Sequence, residues 1–291
     1  MIYFYLKTNA RRWGYSDMLK QAFNNLPPPP SWRLLCPPHP DGLTCCSPHR
    51  SPPVPREGFV VSVARFEEPC AWVTGLINEN DGGDARGVFI ANKGTTDLIF
   101  VDKNETKCVD VRRLPNVGKD QHSHLDFIVK MFDRLKNDAS ISMVVFCQGK
   151  IMDHQDVLSA PVRNEREFVH RLLQDARENP AGAISYPGVI NQGMFTPRPS
   201  MRVPGEDPTG LDFGEWFRCF MHRPYPRDHP DLKCYKNAIF AVHKAYVLSR
   251  PKSFYEMLSR QFRDRRSEAA HFMERVWWYA LNCDGDVGLQ V

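Results

Sequence analysis

Two apolar runs, FVVSVARF (59–66) and SMVVFCQG (142–149), constrain this chain more than any other feature. Neither alternates polar with apolar residues, so each reads as a strand buried on both faces. Strands of that kind belong to parallel sheets covered by helices. The stretch between them supports the same reading. EEPCAWVTGLINEN (67–80) predicts a helix, with Pro69 tolerated in its first turn. GVFIANKG (87–94) predicts a strand stopped by Asn-Lys-Gly, and LIFVDK (98–103) and KCVDVRRL (107–114) add two short extended pieces. DQHSHLDFIVKMFDRLKND (120–138) places Leu125, Ile128, Val129, Phe132 and Leu135 on one face of a helix. Strands alternating with helices imply right-handed βαβ units and a mostly parallel sheet.

Beyond residue 150 helices dominate. NEREFVHRLLQDARENP (164–180) and LDFGEWFRCFMH (211–222) read as helices separated by an irregular Pro- and Gly-rich loop over 181–210. CYKNAIFAVHK (234–244) reads as a strand or a strand entering a turn, and helices over 253–266 and 268–281 close the pattern. The expected fold is therefore an α/β domain over 58–291 with a helical C-terminal cap. Residues 1–57 are set apart by composition, because eleven of the 24 prolines fall between Pro27 and Pro55. Proline fixes φ and removes a donor, so this lead predicts an irregular, polyproline-rich linker. A ligand for SH3-like or WW-like domains is the alternative there.

Composition narrows the function classes. With 42% hydrophobic residues in 291, a sizeable core is available and a fully disordered chain is excluded. A formal net charge of +4 does not argue for nucleic acid. No apolar stretch is long enough for a transmembrane helix, and the first residues do not read as a signal peptide, so a cytoplasmic protein is expected. The nine cysteines include no CxxC, which leaves neither a zinc module nor a disulfide framework legible. Motifs for a P-loop, a dinucleotide-binding turn, a nucleophile elbow and a zinc protease are all missing.

The chemistry-bearing residues cluster where strands should end. Arg65, Glu67 and Glu68 follow the first strand, Asn92 and Lys93 the second, and Gln148, Gly149, Asp153 and His154 the central one. In open α/β sheets ligands bind beyond the carboxyl ends of strands, so these groups predict a polar-ligand crevice. Leu114-Pro-Asn-Val-Gly-Lys-Asp120 precedes the long helix. Asp120 reads as a cap for it, while the helix start and Lys119 could face an anion such as a diphosphate. Glu274 stands in an aromatic helix, between Met273 and Arg275 and close to Trp277 and Trp278. Either it forms an ion pair or it serves as a catalytic carboxylate.

Six stretches in register resemble one known family: VVSVARFEEPCAW, GVFIANKG, RLPNVGKDQHSHLDFIVKMFDRL, MVVFCQG, NAIFAVHKAYVLSRPKSFYEML and HFMERVWWYAL. This is the glycosyltransferase-like family catalogued as domain of unknown function 3431, which looks related to the GT-A sugar transferases. The resemblance spans about residues 59–281. It implies a GT-A-like, Rossmann-like fold and transfer of a sugar from a nucleotide-sugar donor to a glycan or other acceptor hydroxyl. Arg65, Glu67, Asn92, Lys93, Asn116, Lys119 and Gln148 would then bind the donor. Glu274 would be the first candidate base, with Asp153 second or else a metal ligand. Mn²⁺ or Mg²⁺ would be the implied cofactor. Some positions depart from the family pattern: Ala91 for Tyr, Lys119-Asp120 for Arg-Glu, His124 for Tyr, and no clear Asp-x-Asp after the central strand. Two other readings stay open: a transferase-like binding protein without catalysis, and a metal-dependent phosphodiesterase built on Asp153, His154 and Asp156.

Overall fold

Five strands form one sheet: β1 (Gly58–Arg65), β2 (Ala85–Asn92), β3 (Cys108–Arg113), β4 (Ile141–Gln148) and β5 (Phe240–His243). Their order is β3-β2-β1-β4-β5. The first four pair in parallel, and β5 joins β4 antiparallel. The computed structural model describes residues 58–77, 85–96, 98, 108–178, 200, 202–203, 206, 209–223, 225, 234–262 and 264–281. The Pro-rich lead, the extended piece expected at 98–103 and most of the 181–210 loop lie outside the described residues.

Every residue of β1 is buried, because helices cover both faces of the sheet. Phe59, Val61 and Val63 point to one face, into a core shared with Val73 and Leu76 of α1 (Trp72–Ile77) and Phe168 and Leu172 of α3 (Glu165–Glu178). Ser62 turns the other way, where its Oγ lies 3.2 Å from Nδ1 of His124 on α2 (Lys119–Asn137). That second face is aromatic. Phe146 of β4 stacks on Trp277 at 6.1 Å, and Tyr235 stacks on Phe240 at 4.3 Å. Trp277 belongs to α7 (Glu268–Leu281), which packs on α2 and on α4 (Phe213–Met221). Two shorter helices, α5 (Lys244–Leu248) and α6 (Lys252–Ser259), complete the cap over α2.

This is the mostly parallel, helix-flanked α/β sheet with a helical cap that the sequence patterns predict. Three local expectations need correction. Residues 66–71 form a loop instead of the first turn of a helix, since the carboxylates of Glu67 and Glu68 bond to loop groups. The 234–244 segment holds a short 3-10 turn before β5, where Asn237 and Ala238 both take φ 55° and interrupt extended chain. The helix expected over 253–266 ends at Ser259, and Phe262 then packs on the α2 start. Tertiary contacts there outweigh a weak helical preference.

The topology fixes where a ligand can sit. From β1 the chain passes over one face through α1 to β2, and α2 returns it over the opposite face to β4. Because β2 and β4 flank β1, the carboxyl end of β1 is the switch point at which such sheets open a crevice.

Candidate functional site

Arg65, the last residue of β1, is 3% exposed. Its guanidinium is fully engaged within the protein. Nε donates to the Glu68 carbonyl at 2.7 Å, Nη1 to Asn92 Oδ1 at 2.5 Å and Nη2 to Thr96 Oγ1 at 2.8 Å. Asn92, its neighbour across the sheet, also accepts from the Gly94 amide at 3.0 Å and donates to the Thr96 carbonyl at 2.9 Å. Only glycine fits at position 94, since a Cβ would lie 1.6 Å from the Phe66 carbonyl oxygen. Glu67 accepts from Thr96 Oγ1 at 2.5 Å and from the Thr95 amide and hydroxyl. These hydrogen bonds, the Thr96 hydroxyl first, hold its carboxyl down at about 2. Arg65, Glu67 and Asn92 therefore brace the turn that presents Lys93.

Lys93 reaches from that turn to the start of α2. Its Nζ donates to the Val117 carbonyl at 2.6 Å and also to the Lys119 carbonyl. Burial lowers it to about 8, with Asp120 and Asp126 opposing the shift. The chain it grips is left-handed at two successive residues, Gly118 (φ 58°) and Lys119 (φ 50°). Gly118 has a second reason to be glycine: a Cβ would come within 2.5 Å of the Phe262 ring. Its amide donates to the Asp264 carbonyl at 3.0 Å, which ties the α2 start to the loop after α6.

Asp120 occupies the first turn of α2. Gly118, one residue outside the helix, is the cap residue, and no side chain makes the capping bond. Among the described residues the half-buried Asp120 carboxylate has no hydrogen-bonding partner. Desolvation pushes its pKa up to about 7, the charges of Glu274 and Glu68 add to the rise, and Lys93 and Lys119 oppose it. A helix start normally favours a carboxylate anion. Here desolvation wins, so the group can take up and release a proton near neutral pH.

Asp120 lines a cleft of about 630 Å³ at the switch point. The cleft walls carry the cations Lys93, Lys119, Arg265 and Arg266, the acids Glu68 and Glu206, and the amides Asn116 and Gln148. Ser123, one turn beyond Asp120, lines it too, and its buried hydroxyl has no partner. Phe66, the one large apolar side chain that is exposed among the described residues, stands at the same cleft with the Arg265 guanidinium 5.3 Å from its ring centre. Gln148 is held by its own network, donating to the Asn237 carbonyl at 3.0 Å and accepting from Nε2 of His154 at 3.1 Å. Cationic and acidic groups facing one space suit an anionic ligand that also presents a titratable hydroxyl.

The structure brings Arg65, Lys93, Asn116, Lys119 and Gln148 to this cleft. Glu67 and Asn92 stand behind it as braces. The two expected catalytic residues do not line it. Glu274, on α7, is a quarter exposed and lies 3.8 Å from its neighbour Arg275. Asp153 sits on the 3-10 turn Ile151–Val157, 55% exposed and paired with Lys150 at 2.7 Å. Asp153 is therefore not among the groups that line the cleft. Among the described residues no three His, Cys, Asp or Glu side chains gather closely enough to hold a metal ion.

Sequence reasoning passed over Asp120 as an acid or base because an acidic residue at a helix start reads as a cap. It passed over Arg265 and Arg266 because the helical pattern runs through them. Glu206 had no local signal and meets the cleft only through the fold, with His271 beside it. Compared with family models, characterised proteins and solved structures, the chain gives no match.

Proposed function

We propose that this cleft transfers a sugar from a nucleotide-diphosphate donor to an acceptor hydroxyl, with Asp120 as the general base. The observation that carries the reading is Asp120 itself. It is an unpartnered carboxylate with a proton affinity near neutrality, in a cation-lined crevice at the carboxyl end of β1. The resemblance to the GT-A-related family adds the chemical class, and that family also carries a carboxylate in its Asn-Val-Gly-Arg-Glu stretch.

In this reading the Asp120 carboxylate accepts the acceptor's hydroxyl proton as the oxygen forms its bond to the anomeric carbon. The bond from that carbon to the diphosphate oxygen breaks, and the diphosphate leaves with the electron pair. Lys119, Arg265 and Arg266 neutralise the leaving group's growing charge, where a fixed cation stabilises the transition state more than the ground state. Lys93 holds the start of α2, and so Asp120, in register. Mn²⁺ or Mg²⁺ is not assigned a step, because the donor groups described are not gathered for one.

The test is transfer by the full chain across a panel of nucleotide sugars, with and without Mn²⁺, for the parent and Asp120→Asn. Activity that falls roughly 10²–10⁴-fold in the variant, with donor binding kept, supports the reading. A protein that neither binds nor turns over any donor overturns it.

A further inference from the structure

Glu206 sits in the cleft beside Lys119 and His271. Its Oε1 lies 3.6 Å from Lys119 Nζ and 3.4 Å from His271 Nε2, and its Oε2 is buried with no partner. Lys119 Nζ also lies 2.6 Å from the same Nε2, so Lys119, His271 and Glu206 form one cluster. Burial, reinforced by the Lys119 charge, lowers the His271 pKa, and the hydrogen bond to Glu206 opposes that shift. Among the described residues Lys119 is the lysine paired with Glu206, at a distance beyond a firm hydrogen bond.

What holds Glu206 in place is a clamp around it. Glu268, buried at the start of α7, accepts from the Val203 amide at 2.8 Å through Oε1 and from the Thr209 amide at 3.0 Å through Oε2. Arg202 adds an ion pair to Oε2 at 3.2 Å. The anchors fall three residues to either side of Glu206, whose own amide donates to the Val203 carbonyl at 3.4 Å.

We propose that Glu206 is an internal competitor: its carboxylate occupies the seat that a ligand's phosphate takes on Lys119, and ligand binding displaces it. The inference rests on the transferase reading only in taking the ligand's anionic group to be a phosphate. A phosphate offers more oxygens to Lys119, and Arg265 and Arg266 stand in the same cleft to share it. The exchange makes the cleft self-screened when empty, which keeps weak anions out and sets a threshold for the true ligand.

The experiment is calorimetric binding of inorganic pyrophosphate to the full chain at pH 7 and low salt, for the parent, Glu206→Gln, Glu206→Ala and Glu206→Gln with Lys119→Ala. A seat held by an internal group lowers apparent affinity by the fraction of time it is free, so both single variants should bind about fivefold more tightly. Adding Lys119→Ala should erase that gain. Unchanged or weaker affinity in both single variants overturns the proposal, as does pyrophosphate binding to none of the proteins. Tighter binding in the variants without sugar transfer by any of them would leave this inference standing and remove the transferase reading.

Discussion

Glu274 lies outside the cleft, yet its charge helps Asp120 hold a proton. The two acids stand on different helices, α7 and α2, and only one faces the space a substrate would fill. This separates two roles that a carboxylate near a site can have, acting on the substrate or adjusting the group that does.

Glu274→Gln therefore has a distinctive expected outcome. Removing the charge lowers the Asp120 pKa, so the acidic limb of the kcat/KM profile moves to lower pH while the plateau rate stays within about a few-fold. A plateau loss of roughly 10²–10⁴-fold would instead make Glu274 the base.

Asp120→Asn should change how stability depends on pH. The carboxyl titrates near 7 in the folded chain and near its ordinary 3.8 when unfolded, so the folded state binds more protons between those values. The stability Asp120 contributes is full below about 4 and lost as pH rises through about 7. The parent should lose melting temperature between pH 5 and pH 8 more steeply than Asp120→Asn. Parallel curves would show that Asp120 titrates normally.

Lys93→Met keeps most of the stem and removes the ammonium that bonds the carbonyls of Val117 and Lys119. Charged hydrogen bonds of this kind are worth about 1.5–3 kcal/mol, and losing them frees the α2 start. Chemical denaturation should show a loss of that size, together with weaker donor binding. A loss of stability with donor affinity unchanged would confine Lys93 to a structural role.

Gly118→Ala should cost about 1–2 kcal/mol for a left-handed backbone alone. The clash with Phe262 adds to that. Combining it with Phe262→Ala should return only the clash component, which a double-mutant cycle measures as a coupling between the two sites.

The sheet was legible because its strands are continuous apolar runs, and burial on both faces leaves few other readings for FVVSVARF or SMVVFCQG. The position of the crevice followed from the same argument, and the Lys93 and Gln148 expectations rested on it, while Lys119 was read from the start of the long helix. Individual roles were harder to read. Arg65 and Asn92 were identified as polar strand ends, but their partners are each other and the Thr96 turn, which no linear spacing encodes. Asp120 was hidden by one residue: with Gly118 as the cap residue, the acid falls inside the helix, where only the surrounding fold determines its desolvation. Arg265 and Arg266 leave helical geometry because Phe262 and Asp264 dock on Gly118, a contact made across more than a hundred residues of chain.

That docking also sets a timetable. The ribosome delivers β1, β2 and β4 long before Phe262 and Asp264 emerge, so the nascent sheet can form while the Gly118 turn still lacks its partner. Until those later segments arrive, the cleft has no Arg265–Arg266 wall and no α7 behind it. A chain stopped before Phe262 would lack the Arg265 and Arg266 side of the cleft.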